Sequence, residues 1–408
     1  MRILHISTRL ILGGSQENTV LSCEGQARLG HDVHLAFGPI YGPEGSLLER
    51  VRGFVCRGAE GARGAAHERR ITTHEVPDMI RELHPVRDFK AYRQLRRLIR
   101  EVKPDIVHTH SSKAGVIGRA AAWMEGGRDG RVGVVHTVHG PPFHEYEKAW
   151  RNAVYVHAER FAAKRCHRIV CVAAAMREQF LMHGIGTAEQ YDIVYSGCET
   201  EEFLRPRMGE TREEVRAAMG LSAGDVVIGT VARLAELKGH DDLLEALGED
   251  LKRNPSWKLL WVGDGWWRER LTARLAAMGL SGRVVMSGLV APGKVPGLIR
   301  AMDVLVHPSY REGLPRAVVQ GLLCGVPVVA YDVDGTGEVV RDRTTGRLVR
   351  AGDIAGLREA IGWMIERREE ARRTAERGRA ECAERFSAGA MVEGLERVYA
   401  RARTPSVL

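Results

Sequence analysis

Short apolar runs alternate with stretches of helical periodicity along the chain, and this rhythm predicts an α/β fold with parallel sheets. Residues 2–7 open the series as a strand, and a helix is expected after Gly14. Further strands in the first half are predicted at residues 31–37, 105–110, 132–138, 168–172 and 192–195. Helical patterns lie between them, as in a doubly wound sheet.

The rhythm restarts in the second half of the chain, which predicts a second doubly wound sheet. Its strands are expected at residues 226–232, 258–262, 283–287, 304–307 and 326–330. A polar stretch without clear periodicity, residues 196–208, lies between the two series. We therefore expect one domain at residues 1–200 and another at residues 205–386.

Two further segments complete the predicted organisation. The C-terminal part is expected to be helical, in one stretch from Ile354 to about Arg385 and in a last helix at residues 391–400. Residues 41–84 carry Gly and Arg clusters and only a weak helical pattern, which predicts a long loop or a poorly ordered excursion.

The helix predicted after this excursion is amphipathic. Its apolar face carries Phe89, Tyr92, Leu95, Ile99 and Val102. Its basic residues are Lys90, Arg93, Arg97 and Arg100. This basic face is expected either to be simply solvated or to contact an anionic membrane surface or a charged acceptor.

The composition is that of a globular protein of 408 residues, 44% hydrophobic and 27% charged, and the length fits two domains. The formal net charge of +8 favours anionic partners such as nucleoside diphosphates, anionic lipid or nucleic acid, unless the protein is simply basic. The 7 cysteines are scattered and form no C-x-x-C pair, which predicts reduced thiols in a reducing compartment. No leader pattern opens the chain and no apolar run approaches the roughly 18 residues of a membrane span, so a cytoplasmic protein is expected.

The most informative stretch of candidate chemistry is REGLPRAVVQ, at residues 311–320. Pro315 favours the first position of a helix, so the amides of Gly313 and Leu314 should lie at its positive end, where anions bind. Glu312 lies beside them and is able to accept hydrogen bonds from hydroxyl groups of the same ligand. An anion site next to a hydroxyl-binding carboxylate suits a nucleotide-sugar.

This stretch resembles the signature of glycosyltransferase family 4, the retaining transferases of the GT-B fold. The chain matches that signature in EGLP and in CGVPVVA, and it departs at Gln320, where the family usually has Glu. The resemblance implies two Rossmann-like, doubly wound domains that face a central cleft. It also implies that the last helix, at about residues 387–408, crosses back onto the N-terminal domain.

A pair of cations opens the second predicted domain. Arg233 follows a strand and Lys238 precedes a helix, a spacing that can clamp a diphosphate and stabilise a leaving group without a metal. A simple surface pair is the alternative. The resemblance assigns both residues to the diphosphate of the donor, and it makes Arg233, Lys238, Glu312 and His139 the candidate catalytic residues.

Two glycine loops follow strands without completing the dinucleotide fingerprint. In the loop at residues 263–265 the third glycine would fall on Arg268, and Gly13-Gly14 follows its strand more loosely. Glycine there lets the backbone approach a ligand closely. The resemblance places Gly13, Gly14 and Gly263 near the donor.

The stretch GLVAPGK at residues 288–294 almost forms a phosphate-binding loop for ATP. Val295 stands where a Ser or Thr would hold magnesium, and Pro296 interrupts the expected helix, so ATP hydrolysis is not predicted. The resemblance places Val290 beside the nucleotide base.

Histidines end two of the predicted strands, in HTH at residues 108–110 and in HTVHG at residues 136–140. Zinc is an alternative reading, but no cysteine accompanies them and no metal site is expected. Ligands bind at the carboxyl ends of strands in open α/β sheets, which favours a functional role. The resemblance assigns His139 to the donor sugar, and His110 is a candidate on the acceptor side.

The resemblance implies a retaining hexosyltransferase that uses a nucleoside-diphosphate sugar, most often UDP-linked. Its acceptor would be a hydroxyl of a lipid-linked or saccharide molecule in cell-surface polysaccharide synthesis, with no cofactor and no nucleic acid partner. The family's second Glu binds the ribose, and Gln320 keeps one acceptor oxygen there without the charge. The protein is expected to be cytoplasmic and peripheral at the inner face of the membrane.

Two alternatives stay open. A non-catalytic nucleotide-sugar binding protein of the same fold is favoured only by Gln320. A sugar-nucleotide epimerase shares the two-domain architecture but does not need the cation pair and the EGLP signature together. The motif D-x-D at residues 332–334 is interpreted as a turn with Gly335 and not as a metal site.

Overall fold

The part of the chain that the computed structural model describes is residues 1–41, 44–57 and 68–403. It folds into two compact units. The first unit runs to Gly197 and includes the C-terminal segment from Ala388, and the second unit is Cys198–Ser387. The division falls inside the polar stretch at residues 196–208.

The first unit is built on a parallel sheet. The strands are β1 (Arg2–Ser7), β2 (Asp32–Phe37), β3 (Cys56–Arg57), β4 (Glu68–Arg69), β5 (Thr72–Glu75), β6 (Ile106–His110), β7 (Gly133–Val138), β8 (Arg168–Cys171) and β9 (Tyr191–Ile193). The sheet is 7-stranded in the order β5-β2-β1-β6-β7-β8-β9, and β3 pairs with β4 in a separate antiparallel ribbon. The helices are α1 (Gly14–Arg28), α2 (Leu48–Gly53), α3 (Pro85–Val102), α4 (Ser112–Ala122), α5 (Ala149–Ala163) and α6 (Ala174–Met182).

The second unit repeats this architecture. Its strands are β10 (Val226–Val231), β11 (Trp257–Val262), β12 (Val284–Gly288), β13 (Val304–His307), β14 (Val328–Tyr331) and β15 (Arg347–Val349), in a 6-stranded parallel sheet of order β12-β11-β10-β13-β14-β15. The helices are α7 (Thr200–Leu204), α8 (Arg212–Ala218), α9 (His240–Arg253), α10 (Arg268–Ala277), α11 (Val295–Arg300), α12 (Arg316–Leu323), α13 (Ile354–Glu366) and α14 (Arg368–Arg385).

The central strands are buried along their whole length, because helices cover both faces of a parallel sheet. Every residue of β6, β7, β13 and β14 is buried. In each sheet the strand order reverses at one place, between β1 and β6 and between β10 and β13. Ligands of open α/β sheets bind at the carboxyl ends of the strands at such a reversal. The predicted α/β class with two doubly wound sheets is confirmed.

The last helix, α15 (Ala388–Arg403), packs on the sheet of the first unit. Val398 and Tyr399 are fully buried there among side chains that include Ile3. The helix also lies close against α1, since a Cβ atom on Gly25 would come within 2.4 Å of Val392. Only glycine allows this approach.

The prediction of a long loop at residues 41–84 was wrong for part of the described segment. The segment contains α2, the ribbon of β3 and β4, and β5, which pairs with β2 at the edge of the sheet. The sequence of β5 is Thr-Thr-His-Glu, and its residues are half-buried or exposed, so no apolar run indicates a strand. Much of the Gly- and Arg-rich part falls on residues 58–67, outside the described residues.

One predicted helix was also wrong in its extent, and one strand was not predicted. The helix expected from Ile354 to Arg385 breaks at Arg367, whose φ of −105° and ψ of 55° separate α13 from α14. The strand β15 was missed because it has three residues, too few to show a period. The 7 cysteines are free thiols. Among the described helices none combines the length and hydropathy that crossing a bilayer requires.

Candidate active site

The candidate site residues of the second unit lie at its strand reversal, where the loops after β10 and β13 contact each other. Lys238, at the end of the first loop, places its Nζ 2.7 Å from Oε1 of Glu312 and 3.2 Å from Oγ of Ser309, both in the second loop. The ammonium therefore stands where two strand ends and their helices converge, and the side chain is 29% exposed.

The residues on either side of Lys238 have left-handed backbone conformations, which non-glycine residues seldom adopt. Leu237 and Gly239 both have positive φ, of 61° and 69°. A Cβ atom on Gly239 would lie 1.9 Å from the carbonyl oxygen of Pro308, and the amide of Tyr310 donates to the carbonyl of Leu237 at 2.8 Å. The two loops are therefore locked together, and this fixes Lys238 beside Glu312.

Glu312 is a nearly buried carboxylate with two cationic or polar partners. Its Oε1 also lies 3.0 Å from Nε2 of His307, and its side chain is 14% exposed. Burial alone would raise the pKa of Glu312, but the charge of Lys238 and the contact with His307 hold that pKa well below its usual range. The carboxylate is therefore ionised, and in the described part of the chain its Oε2 has no hydrogen bond.

The loop that carries Glu312 is braced by the turn after β14. One carboxylate oxygen of Asp334 accepts a hydrogen bond of 2.8 Å from the amide of Glu312, and the amide of Gly335 donates to the carbonyl of Gly313 at 3.2 Å. Asp334 has a positive φ of 46° at the start of a short 3-10 turn. The D-x-D sequence therefore supports the Glu312 loop.

The helix after this loop begins one residue later than predicted. Pro315 has φ −74° and ψ 88° and precedes α12, which starts at Arg316. The amides of Gly313 and Leu314 donate no hydrogen bond to any described residue, so they are open to an anion. Gln320 lies one turn into α12, half-buried, and its side-chain amide is likewise without a hydrogen bond to the described residues.

Arg233 lies in the loop after β10, half-buried, with its guanidinium 5.6 Å from the ring centre of Trp266. Glu236 fixes this loop by accepting from the indoles of Trp266 and Trp267 at 2.8 and 2.9 Å. Gly263 has φ 137°, and a Cβ atom there would come within 2.2 Å of the carbonyl oxygen of Ala232. Gly263 thus allows the backbone of the loop that carries Arg233 to pack closely against it.

Val290 is half-buried just after β12, the edge strand of the same sheet. It therefore lies at the carboxyl end of the sheet, on the side that carries Arg233. The structure brings Lys238, Glu312, Gly313 and Leu314 together. Arg233 follows β10 and Val290 follows β12, at the same end of the sheet but with β11 between the two strands.

The first unit has its own cluster at the carboxyl ends of β6 and β7. His110 is the last residue of β6 and His139 follows β7, and Nδ1 of His110 lies 3.1 Å from Nε2 of His139. Gly13 is extended, with φ −174°, directly before α1, whose first residue is Gly14. The glycine pair follows β1, which neighbours β6 in the sheet.

The buried imidazoles of His5 and His108 lie close to that of His110, and each of the three offers a ring nitrogen within 4.8 Å of the others. Every ring nitrogen of the three already has a protein partner. Burial lowers the pKa of His5 to about 4 and the pKa values of His108 and His110 well below their usual range. The cluster therefore forms a neutral, hydrogen-bonded set.

Sequence reasoning missed His307, Ser309 and Asp334, which hold Lys238 and Glu312. His307 ends a predicted strand. Ligands of open α/β sheets bind at the carboxyl ends of strands, so the position of His307 in the sequence is a signal for the site. The sequence indicates only a turn at Asp334, because the contact of this residue with the amide of Glu312 joins two separate loops.

Comparisons with known proteins find similar chains over most of this length. The family description Glycosyltransferase Family 4 matches residues 12–202, and Glycosyl transferases group 1 matches residues 211–381. The UDP-Gal:alpha-D-GlcNAc-diphosphoundecaprenol alpha-1,3-galactosyltransferase of Escherichia coli is 30% identical over 290 residues, 70% of this chain and 73% of the relative. The 2-deoxystreptamine N-acetyl-D-glucosaminyltransferase of Streptomyces fradiae is 29% identical over 310 residues, 73% of this chain and 72% of the relative.

Solved structures of the same fold cover nearly the whole chain. The crystal structure of Anabaena Alr3699/HepE in complex with UDP-glucose has a TM-score of 0.79 at 21% identity, over 98% of this chain and 99% of that chain. WaaG, a glycosyltransferase involved in lipopolysaccharide biosynthesis, has a TM-score of 0.72 at 16% identity, over 98% of both chains. The expected GT-B fold of two Rossmann-like units is confirmed.

Proposed function

Because this chain belongs to the family 4 glycosyltransferases, we propose that it transfers a hexose from a UDP-linked donor with retention of the anomeric configuration. The acceptor in this proposal is a hydroxyl group of a lipid-linked or saccharide molecule in cell-surface polysaccharide synthesis. The observation that carries the proposal is the contact of Lys238 with Glu312 beside the open amides of Gly313 and Leu314.

The second unit supplies the groups that a nucleoside diphosphate requires. Lys238 and Arg233 would neutralise the diphosphate, and the amides at the start of α12 would bind its oxygens at the positive end of the helix. Preorganised positive groups of this kind stabilise the charge of a leaving diphosphate in the transition state, so no metal is required in this proposal. Glu312 would use its second oxygen to bind a hydroxyl of the sugar.

The choice of UDP rests on the relatives. The Escherichia coli relative is named for a UDP-galactose donor, and the solved Anabaena structure holds UDP-glucose. In this proposal Gln320 binds a ribose hydroxyl through its amide oxygen. A neutral acceptor gives a weaker bond than a carboxylate, so nucleotide affinity should be lower by about 1 kcal/mol.

A lipid-linked acceptor is favoured by two observations. The Escherichia coli relative is named for a sugar on diphosphoundecaprenol. On α3 of this chain Lys90, Arg93, Arg97 and Arg100 are all exposed, and Phe89 is 60% exposed at the same helix. A basic surface with an exposed aromatic ring suits the anionic face of a bilayer. We accordingly propose peripheral association with the cytoplasmic side of the membrane.

Retention is proposed through front-face attack, in which the leaving phosphate takes the proton of the acceptor hydroxyl. Retaining glycosidases instead use a second carboxylate as a nucleophile. Glu312 does not suit that role, because Lys238 and His307 occupy one of its oxygens and stabilise its charge. His139 of the first unit is proposed to bond a hydroxyl of the donor sugar.

The test begins with thermal unfolding in EDTA with UDP, GDP, ADP, NAD, ATP and several UDP-sugars. A ligand at about 100 times its dissociation constant stabilises the folded protein by roughly 2.7 kcal/mol, which shifts the unfolding temperature by several degrees. A shift with UDP and one UDP-hexose is expected. No shift with any nucleoside diphosphate contradicts the proposed donor site.

Glu312→Ala separates the enzyme from a non-catalytic binding protein. We expect this variant to lose acceptor-dependent release of UDP, which the unaltered protein should show. A wild-type protein that binds UDP-hexose and never releases UDP in the presence of acceptors would instead support the binding protein. Conversion of the donor to another nucleotide-sugar without any acceptor would support an epimerase.

A further inference from the structure

The second unit contains a cavity that the candidate active site does not use. Its volume is about 520 Å³, within the range of roughly 300–1,000 Å³ for pockets that hold small ligands. The loop before β15, β15 itself, the last turns of α13 and one face of α14 line it. Five of the lining residues are arginines, namely Arg343, Arg347, Arg367, Arg373 and Arg377. We call it the arginine cavity.

The arginine cavity lies apart from the loops that carry Lys238 and Glu312. Those loops follow the carboxyl ends of β10 and β13, whereas β15 is the edge strand of the same sheet and Arg347 is its first residue. The guanidinium of Arg347 lies 5.6 Å from the ring centre of Trp363, which places the last turns of α13 beside the amino end of β15. No residue of the proposed donor site lines this cavity.

Arg347 is a largely buried cation in the wall of the cavity. Its side chain is 10% exposed, and its Nε donates to a carboxylate oxygen of Asp342 at 3.0 Å. A guanidinium has five N–H donors, and the other four of Arg347 donate to none of the residues that the structure describes. Charge-assisted hydrogen bonds to an anion are strong, and they are strongest where water is scarce. The donors of Arg347 therefore suit an anion inside the cavity.

Arg377 brings a second cation with open donors. Its Nε donates to the carbonyl oxygen of Thr344 at 2.8 Å, which ties α14 to the loop before β15. In the described part of the chain no carboxylate forms an ion pair with Arg377. Arg373 and the buried Thr374 lie one turn earlier on the same face of α14, and both line the cavity. This face of the helix therefore points into the cavity.

The lining combines positive charge with groups that suit a polar ring. Two glutamates, Glu359 and Glu370, stand against the five arginines. Asp342 and Glu369 pair with lining arginines from outside the cavity, and one positive charge remains in excess when both are counted. Carboxylates accept hydrogen bonds from hydroxyl groups, and the half-buried ring of Trp363 offers an apolar surface. Inorganic phosphate alone would use the cations and leave these other groups without a contact.

We propose that the arginine cavity binds a phosphate ester of a hydroxylated ring, either a free sugar phosphate or the ribose phosphate of a nucleotide. Arg347 and Arg377 hold the phosphate, because their N–H donors are open. The ring of the ligand packs on Trp363, and its hydroxyl groups donate to Glu359 and Glu370. This binding needs neither the donor nor the acceptor of the proposed transfer.

The first measurement is calorimetric titration of the full chain with four probes: glucose 6-phosphate, AMP, inorganic phosphate and glucose. We expect at least one ester to bind about tenfold or more tightly than inorganic phosphate, with glucose bound more weakly than either. The tighter ester identifies the source of the phosphate group. Binding of inorganic phosphate as tight as that of both esters overturns the ligand class. No binding of any phosphate compound overturns the site.

Variants locate the bound ester. Arg377→Gln should weaken it by about tenfold, the value of one charge-assisted hydrogen bond. Arg372→Gln is the matched control, because it removes the same charge from α14 at a side chain that is 69% exposed and does not line the cavity. Lys238→Gln tests the candidate active site, and both of these variants should bind the ester as the wild type does. Equal losses in Arg377→Gln and Arg372→Gln, or a loss confined to Lys238→Gln, overturn the proposal.

Two further variants test the contacts of the ring. Trp363→Leu removes the apolar surface, and Glu359→Gln removes a charged acceptor at an exposed position. In both we expect the affinity for the ester to fall relative to that for inorganic phosphate. Thermal unfolding checks that Trp363→Leu is folded, and Glu359→Gln decides the question if it is not. An unchanged ratio of the two affinities overturns the ring contact. Failure of sugar transfer would contradict the proposed function and leave these results standing.

Discussion

The ionised state of Glu312 depends on its contacts with two individual residues, Lys238 and His307. Its carboxylate is taken out of water, yet it stays charged because Lys238 lies 2.7 Å away and His307 lies 3.0 Å away. A buried carboxylate without such partners would take up a proton. The fold therefore maintains the charge that the proposed chemistry needs, through Lys238 in the loop after β10 and His307 at the end of β13.

This pairing predicts a dependence of stability on pH. The pKa of Glu312 in the folded protein lies below its ordinary value of 4.5, so its stabilising effect is complete above that pH and is lost as the pH falls toward the folded pKa. The free energy of unfolding of the wild type should therefore fall relative to that of Glu312→Gln on going from about pH 7 to about pH 3. Urea unfolding of both proteins measures the difference. Parallel curves would show that the carboxylate is not stabilised by its partners.

Gln320 carries a second prediction at the scale of one residue. Restoring the carboxylate in Gln320→Glu should strengthen UDP binding by about 1 kcal/mol, or roughly fivefold in the dissociation constant. Calorimetric titration measures this change. Dideoxy-UDP, which lacks the ribose hydroxyls, is the control ligand and should show no gain. An equal gain for both ligands would place the ribose elsewhere.

At the scale of single elements, the candidate site residues lie at or just after the carboxyl ends of strands. The loops after β10 and β13 lie on either side of the strand reversal in the second sheet, and the close packing of Gly239 on Pro308 joins them. In the first sheet the ends of β6 and β7 bring His110 and His139 together in the same way. A strand end is thus a better guide to the site than the type of residue alone.

The junction of the two loops predicts a large cost for a single methyl group. Gly239→Ala should lower the free energy of unfolding by about 3 kcal/mol or more, since backbone atoms must move. Gly220→Ala is the matched control, because both glycines have φ 69° but a Cβ atom on Gly220 would meet nothing within 4 Å. That variant should cost only about 1 kcal/mol. Equal costs would mean that the two loops are not in contact.

The sequence predicted the buried elements well and the edges poorly. The strand that begins at Val304 carries an apolar run bounded by polar loops, and the structure has it at the predicted residues. The polar edge strand β5 has no such apolar run. The helix break at Arg367 has no Pro or Gly at that residue from which it could be predicted. Glu312 and Lys238 could be proposed from a short motif, but the links to His307 and Asp334 join distant parts of the chain. Such links follow only from the packed fold.

At the scale of the whole molecule, two units of the same architecture carry different chemistry. The second unit carries cations and open amides, which suit an anionic nucleotide. The first unit carries neutral, buried histidines and an exposed basic helix, which suit a sugar and an anionic surface. The net charge of +8 for the whole chain agrees with anionic partners.

The basic helix predicts membrane binding that depends on charge. Replacing Lys90 and Arg93 by Gln should weaken binding to vesicles of anionic lipid by about 2 kcal/mol, since each basic residue contributes about 1 kcal/mol near such a surface. Sedimentation with vesicles measures this change. The control replaces Arg372 and Arg373 of α14 by Gln. These side chains are 69% and 61% exposed, and their replacement removes the same amount of charge. Equal losses in both variants would show that total charge, not α3, determines binding.

The most direct test of the account is product analysis with EDTA-treated protein, UDP-hexoses and a polyprenyl-diphosphate-linked sugar as acceptor. The account predicts release of UDP that depends on the acceptor, and a product in which NMR shows the transferred hexose with the same anomeric configuration as in the donor. Product with the inverted configuration would contradict the retaining mechanism. Failure to release UDP with any hexose and acceptor, by a protein that binds UDP, would contradict the assignment of transfer to this chain.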